Sequence, residues 1–193
     1  MKFKYLSLVL LVGILSTANA QDSKTPKSNA GIKGGYNLAA VNYDGSGETG
    51  QRHGFHAGIY GESFISDSFA LQLELMYSQQ GYEIKDGNAT FTQKLDYINL
   101  PMMFKAYPSK NFFFEAGPQI GLAISQIDES NGFLSGSTQT DPNNFDWGMN
   151  FGGGFKTDSG ISLGVRYHLG LGDLYDNNKA HNRVWQFSVG FDL

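Results

Sequence analysis

The sequence has no cysteine. That excludes a disulfide framework, thiolate metal sites, a cysteine nucleophile and a lipid-modified N-terminal cysteine. Past the first twenty residues no apolar run is long enough for a transmembrane helix, which needs roughly 20 residues. No strong charge of one sign is present: the net charge is −4 with both signs interspersed, so a nucleic-acid partner is not indicated. Gly152-Gly153-Gly154 has no Lys-Ser/Thr behind it and is no phosphate loop. His53 and His56 fall on opposite faces of a strand and cannot share a metal. Asp173, Asp176 and Asn177 lack the spacing of an EF-hand loop. Nothing implies a cofactor. What is abundant is glycine (25), phenylalanine (15) and tyrosine (10), a composition that points to an all-β protein when helical periodicity is missing.

The N-terminus reads as an export signal. Lys2 and Lys4 precede an apolar run from Tyr5 to Leu15, and Ala18-Asn19-Ala20 is a small-x-small cleavage site. Residues 1–20 are therefore expected to be a cleaved signal peptide, and 21–29 a polar, disordered lead-in. Residues 30–193 remain as one domain.

That domain alternates with period 2. In residues 68–80, Phe69, Leu71, Leu73, Leu75 and Tyr77 alternate with mostly polar neighbours, one greasy and one wet face. The pattern recurs in eight segments: 31–41, 53–63, 68–80, 96–106, 111–125, 145–156, 161–170 and 183–193. Odd-numbered connections read as long (42–52, 83–93, 126–144, 172–182) and even-numbered ones as short turns. Long loops at one end and short turns at the other predict an up-and-down antiparallel transmembrane β-barrel with eight strands, its short turns in the periplasm.

Residue size decides which face is outside. An eight-stranded barrel is only wide enough for side chains to fill it. Phe112, Phe114, Trp147, Phe151, Phe155, Trp185, Phe187 and Phe191 share the greasy face. Gly35, Gly54, Gly58, Gly117, Gly121, Gly148, Gly152, Gly154, Gly164 and Gly190 share the other. The charges Lys33, Glu62, Glu74, Lys105, Glu115, Asp146, Lys156, Arg166 and Asp192 lie on the glycine face, and none on the greasy one. A Lys or Arg facing lipid at the midplane costs about 2–4 kcal/mol. The expected outcome is a lipid-facing apolar surface around a filled lumen plugged by a structural charge network, with a proton or ion path as the alternative. Trp147, Tyr36, Tyr77, Tyr167, Trp185 and Phe191 fall near strand ends, where interfacial girdles belong. Pro101 and Pro118 fall nearly opposite each other, which predicts a bulge or weak seam between the fourth and fifth strands.

The segments GIKGGYNLA, LQLELMYSQQGY, LDYINLPMMFKAYP and FFEAGPQIGLAIS resemble the PorT-type outer-membrane β-barrel family of Bacteroidetes, barrels of the OmpA/OmpX kind. The resemblance spans nearly all of the mature chain and implies a Gram-negative outer membrane. It supplies no activity: the namesake is associated with protein secretion, and most members have no assigned role. It also argues against glycosylation at Asn88-Ala89-Thr90. The terminal Phe191-Asp192-Leu193 resembles the C-terminal strand signal read by the barrel-assembly machinery. Partners expected are outer-membrane lipid, that machinery and an envelope protein. The expected function is a non-enzymatic structural or interaction role, through extracellular loops or as a subunit of an envelope or secretion complex. A small-solute or ion pore is the first alternative. A lipid-modifying enzyme is the second; it needs a Ser-His-acid group open to lipid, whereas His168 is expected to face the lumen with Arg166.

Overall fold

A computed structural model describes residues 28–43, 47–86, 89–131, 144–174 and 180–193. Eight long strands form the wall: β1 (Ser28–Tyr43), β2 (Gly50–Ser66), β3 (Phe69–Asp86), β4 (Ala89–Ala106), β5 (Phe112–Asn131), β6 (Phe145–Lys156), β7 (Ile161–Gly170) and β8 (Ala180–Asp192). A two-residue strand, Gly47–Glu48, folds back on Asn42 and Tyr43. Each strand pairs antiparallel with the next, and β1 closes on β8 from Gly31↔Asp192 to Tyr43↔Ala180. Closure leaves no sheet edge in the wall, which is what lets a sheet cross a bilayer.

The faces are those expected. Leu71, Leu73, Leu75, Phe112, Phe114, Phe151, Phe155, Phe187 and Phe191 are exposed to the outside. Tyr36, Trp147 and Trp185 are exposed near the long-loop end, with half-buried Tyr77 and Tyr167 at the same level. Phe191 lies at the other end, beside Ile161 and Ile32.

Strand lengths correct the expected loops. A spanning strand needs about 9–11 residues; β6, β7 and β8 have 12, 10 and 13, but β3, β4 and β5 have 18, 18 and 20. The segment expected as a loop at 83–93 is paired strand as far as Asp86↔Ala89, and β5 keeps pace up to Thr90↔Asn131. Most of the expected loop at 42–52 is likewise paired, and β8 starts at Ala180, inside the expected 172–182 loop. So β3, β4 and β5 continue together past the length a bilayer requires. Ser28 and Asn29 pair with Ser63 and Glu62, so β1 begins inside the expected lead-in. The expected signal peptide and the rest of that lead-in lie outside the described residues, as do Asp176, Asn177 and Asn88.

The proline seam takes another form. Register between β4 and β5 is the same at Pro101↔Gln119 and Phe104↔Ala116, and pairing is skipped only between them. On the other side pairing between β3 and β4 skips from Leu73↔Met102 to Met76↔Asn99. The bulge lies elsewhere, where Asp96 faces Ser125 but Tyr97 faces Ala123, leaving Ile124 unpaired on β5. Pro101 points inward and Pro118 outward, so each interrupts its own strand without shifting the register.

The lumen is not lined by small residues alone. Tyr60, Met76, Tyr97, Met103 and Phe113 point inward and are buried. The glycines make room for them. A Cβ on Gly58 would lie 2.6 Å from the Met76 sulfur, one on Gly31 2.4 Å from the Tyr60 ring, and one on Gly154 2.7 Å from the Phe113 ring. At Gly160, φ is +83°; glycine supplies this left-handed conformation in the β6–β7 turn without a Cβ clash.

Candidate functional site

Among the described residues the lumen is where the strands bring polar side chains together out of water, and it is built in layers. Nearest the short turns, Tyr107, Phe113 and Ala70 form an apolar cluster with Phe64 against it. Above them Glu62 takes Lys105 at 2.8 Å and Lys156 at 2.6 Å, while Lys156 also reaches Asp192 at 3.0 Å. Tyr107 donates to Glu62 and Tyr60 to Asp192, both at 2.5 Å. The Lys105 ammonium lies 4.0 Å from the Phe113 ring centroid, a cation–π contact.

The next layer centres on Arg166. Its Nη1 and Nη2 donate to the two oxygens of Glu74 at 2.8 and 2.7 Å, and its Nε to Glu115 at 2.7 Å. Lys33 adds a second cation on Glu74 at 3.1 Å. Gln72 joins the layers, donating to Glu74 and accepting from Lys105. Each layer thus holds two cations and two carboxylates. Charges this deep are very costly alone and are tolerated when paired and hydrogen-bonded. Eight of the nine expected charges form this balanced network. Asp146 stands apart, against Asn182 and His168.

Two histidine groups sit higher. His56 Nδ1 is 2.7 Å from Asn37 Oδ1, and its Nε2 is 2.9 Å from Ser188 Oγ. His168 Nδ1 is 2.9 Å from Asn150 Oδ1. Ser188–His56–Asn37 has the hydrogen-bond order of nucleophile, base and orienter. Sequence reasoning missed it, because the residues come from β8, β2 and β1 and meet only through barrel closure. All three are buried, and the lumen cavity that Ser188 lines measures only about 20 Å³, room for about one water. No lipid ester reaches that hydroxyl. His53, by contrast, faces outward beside Tyr36, so His53 and His56 do lie on opposite faces.

Sequence reasoning also missed Arg52, buried against the Gln80 carbonyl and 4.0 Å from Asp96. Both residues lie in segments expected at the loop boundary. At the long-loop end Val41, Tyr82, Leu95, Tyr97, Ala180 and Leu174 form a second apolar cluster. Leu174 comes from the β7–β8 connection and is tied down by its N–H to the Ala180 carbonyl at 2.8 Å. The lumen is therefore filled by ion pairs between two apolar clusters, and at the short-turn end a cavity of about 690 Å³ reaches Lys156 and Asp192. Among the described residues no three His, Asp or Glu side chains gather around one point.

Residues 19–176 match the family described as outer membrane protein beta-barrel domain. No curated protein sequence matches the chain. Among solved structures, Ail, the attachment invasion locus protein of Yersinia pestis, is similar at TM-score 0.53 and 12% identity, over 87% of this chain and 100% of that one. Neisserial surface protein A is similar at TM-score 0.53 and 16% identity, over 87% and 99%. At such identities the likeness is one of fold. The family match covers most of the chain and agrees with the closed eight-stranded wall, the apolar outer face and the girdle: this chain belongs to the outer-membrane β-barrel family.

Proposed function

We propose that the protein is a non-enzymatic outer-membrane barrel that works through its surface, by its extracellular loops or as a subunit of an envelope complex. The observation that carries this reading is the filled lumen, whose interior cavity measures only about 20 Å³. A pore needs a continuous wet path, whereas here a balanced set of buried ion pairs lies between two apolar clusters. A lipid-modifying enzyme needs its nucleophile open to lipid, and Ser188 is enclosed. What remains free to act is the outside. The β3–β4–β5 sheet runs well past the length a bilayer requires, which positions polar hairpin surface away from the membrane, on the side where barrels of this kind carry their long connections.

In this reading the chain is exported by a signal peptide cleaved after Ala20, assembled by way of its C-terminal strand, and of the PorT type found in Bacteroidetes. The lumen charges serve as scaffold. The test is a mild-detergent pull-down of tagged protein from native outer membranes, reading complex mass and co-purifying chains. A stoichiometric companion supports an envelope-complex subunit, and a lone barrel directs attention to the loops. Lipid A or phospholipid turnover that is lost on Ser188→Ala would overturn the non-enzymatic reading.

A further inference from the structure

The small cavity inside the lumen has a one-sided wall. Lys33, Lys105, Lys156 and Arg166 all border it, and Glu115 is the one carboxylate that does. The other three carboxylates of the network stand behind these cations with both oxygens engaged. Glu62 is held by Lys105, Lys156 and Tyr107, and Glu74 by Arg166, Lys33 and Gln72. Asp192 is held by Lys156 and Tyr60. Donors outnumber acceptors here. Lys33 uses one of its three N–H groups, Lys105 and Lys156 two each, and Arg166 three of five, which leaves six over. The four side chains are at most 12% exposed, and buried donors call for partners.

The backbone keeps room for one. At every other glycine that the sequence places on the inner face, an added Cβ would come within 2.8 Å of a neighbour. At Gly164, which borders the cavity, the nearest atom would stand 3.7 Å away. The space is about 20 Å³, enough for one water or an ion little larger. We infer that this cavity binds one small inorganic anion of halide size. A water makes about three hydrogen bonds, some of them as donor. A halide only accepts, from all sides, and its charge is opposite to that of four of the five ionised groups around it. Lys156 also borders the cavity of about 690 Å³ at the short-turn end, so the ion enters when that flexible side chain swings aside. The bound anion links β1, β4, β6 and β7, of which only β6 and β7 are neighbours in the wall. It completes the filling of the lumen and opens no path through it.

Bromide is the probe, because it scatters anomalously. Crystals of detergent-folded protein grown in sodium bromide should show one anomalous peak in the cavity, within hydrogen-bond reach of Lys33 and Arg166. In solution, the urea unfolding midpoint should be higher in sodium chloride than in sodium gluconate of equal ionic strength, since a ligand of the folded state stabilises it and gluconate is too large for the cavity. Gly164→Ala puts a methyl group into the cavity without touching a charge; it should stay folded, and the gap between the two salts should vanish. Lys33→Met leaves Glu74 with Arg166 and should weaken halide binding at least about tenfold, while the exposed Lys110→Met leaves it unchanged. Should Lys33→Met fail to fold, the bromide map and Gly164→Ala decide. A cavity without an anomalous peak, bromide at the surface only, or a chloride effect that is absent or equal in wild type and Gly164→Ala would overturn the site and leave water as its occupant.

Discussion

Replacing Arg166 by methionine keeps most of the side chain's volume and removes its charge. Three charge-assisted hydrogen bonds disappear, two to Glu74 and one to Glu115. The consequences for the two carboxylates differ. Glu74 keeps Lys33 at 3.1 Å and the Gln72 amide. Among the described residues Arg166 is the one ion-pair partner of Glu115, which is 6% exposed and keeps only longer-range attraction from Lys33 and Lys105. Removing one member of a buried pair costs about 3–5 kcal/mol, most of it the orphaned partner. Arg166→Met should therefore destabilise the barrel by about that amount. Adding Glu115→Gln removes the orphan and leaves three cations against three carboxylates in the network. The double variant should return to within about 1.5 kcal/mol of wild type, since a buried ion pair exchanged for neutral side chains is often nearly neutral. Urea unfolding of barrels folded into lipid vesicles, followed by tryptophan fluorescence, measures all three proteins. A single variant within about 1 kcal/mol of wild type would refute the reasoning, as would a double variant no better than the single one.

Glycine substitutions should separate contact from open space. A Cβ on Gly117 would stand 1.9 Å from the Met102 carbonyl oxygen, whereas Gly61 has nothing within 4 Å; Gly117→Ala should abolish the heat-modifiable folded band and Gly61→Ala preserve it. Leu73→Arg places a cation on the lipid face and should cost about 2–4 kcal/mol if the residue lies near the midplane, read by the same urea titration. The interrupted pairing around Pro101 should let the Leu100–Phe104 amides exchange faster than those of Gly164–His168, whose strand is paired without a gap on both sides; equal protection would remove the seam.

Much of this fold is legible in the sequence because a lipid-facing strand has no choice of pattern. Leu71, Leu73 and Leu75 must all face hydrocarbon, so their alternation with Gln72 and Glu74 sets the face of β3 from composition alone. The inward charges are legible for the same reason. The residues at 83–93 are not: only Ile84, Ala89 and Phe91 are apolar there, so the greasy half of the alternation disappears and a paired strand looks like a loop. Partnership inside the lumen was hidden too. Whether Asp146 joins Lys156 or His168 depends on strand stagger around the closed wall, and the meeting of Asn37, His56 and Ser188 depends on β1 pairing with β8. The large inward side chains were missed because a glycine-rich face suggests emptiness, while Gly31, Gly58 and Gly154 accommodate a neighbour's tyrosine, methionine or phenylalanine.

A barrel filled by ion pairs and acting through its surface should pass no solutes. Planar-bilayer recording of the purified, folded protein tests it most directly. Wild-type protein shown to be folded by its heat-modifiable migration should give a baseline free of unitary steps. Reproducible single-channel conductance, altered in size or ion selectivity by Arg166→Met or Glu74→Gln, would contradict it and make the lumen charges a conduction path.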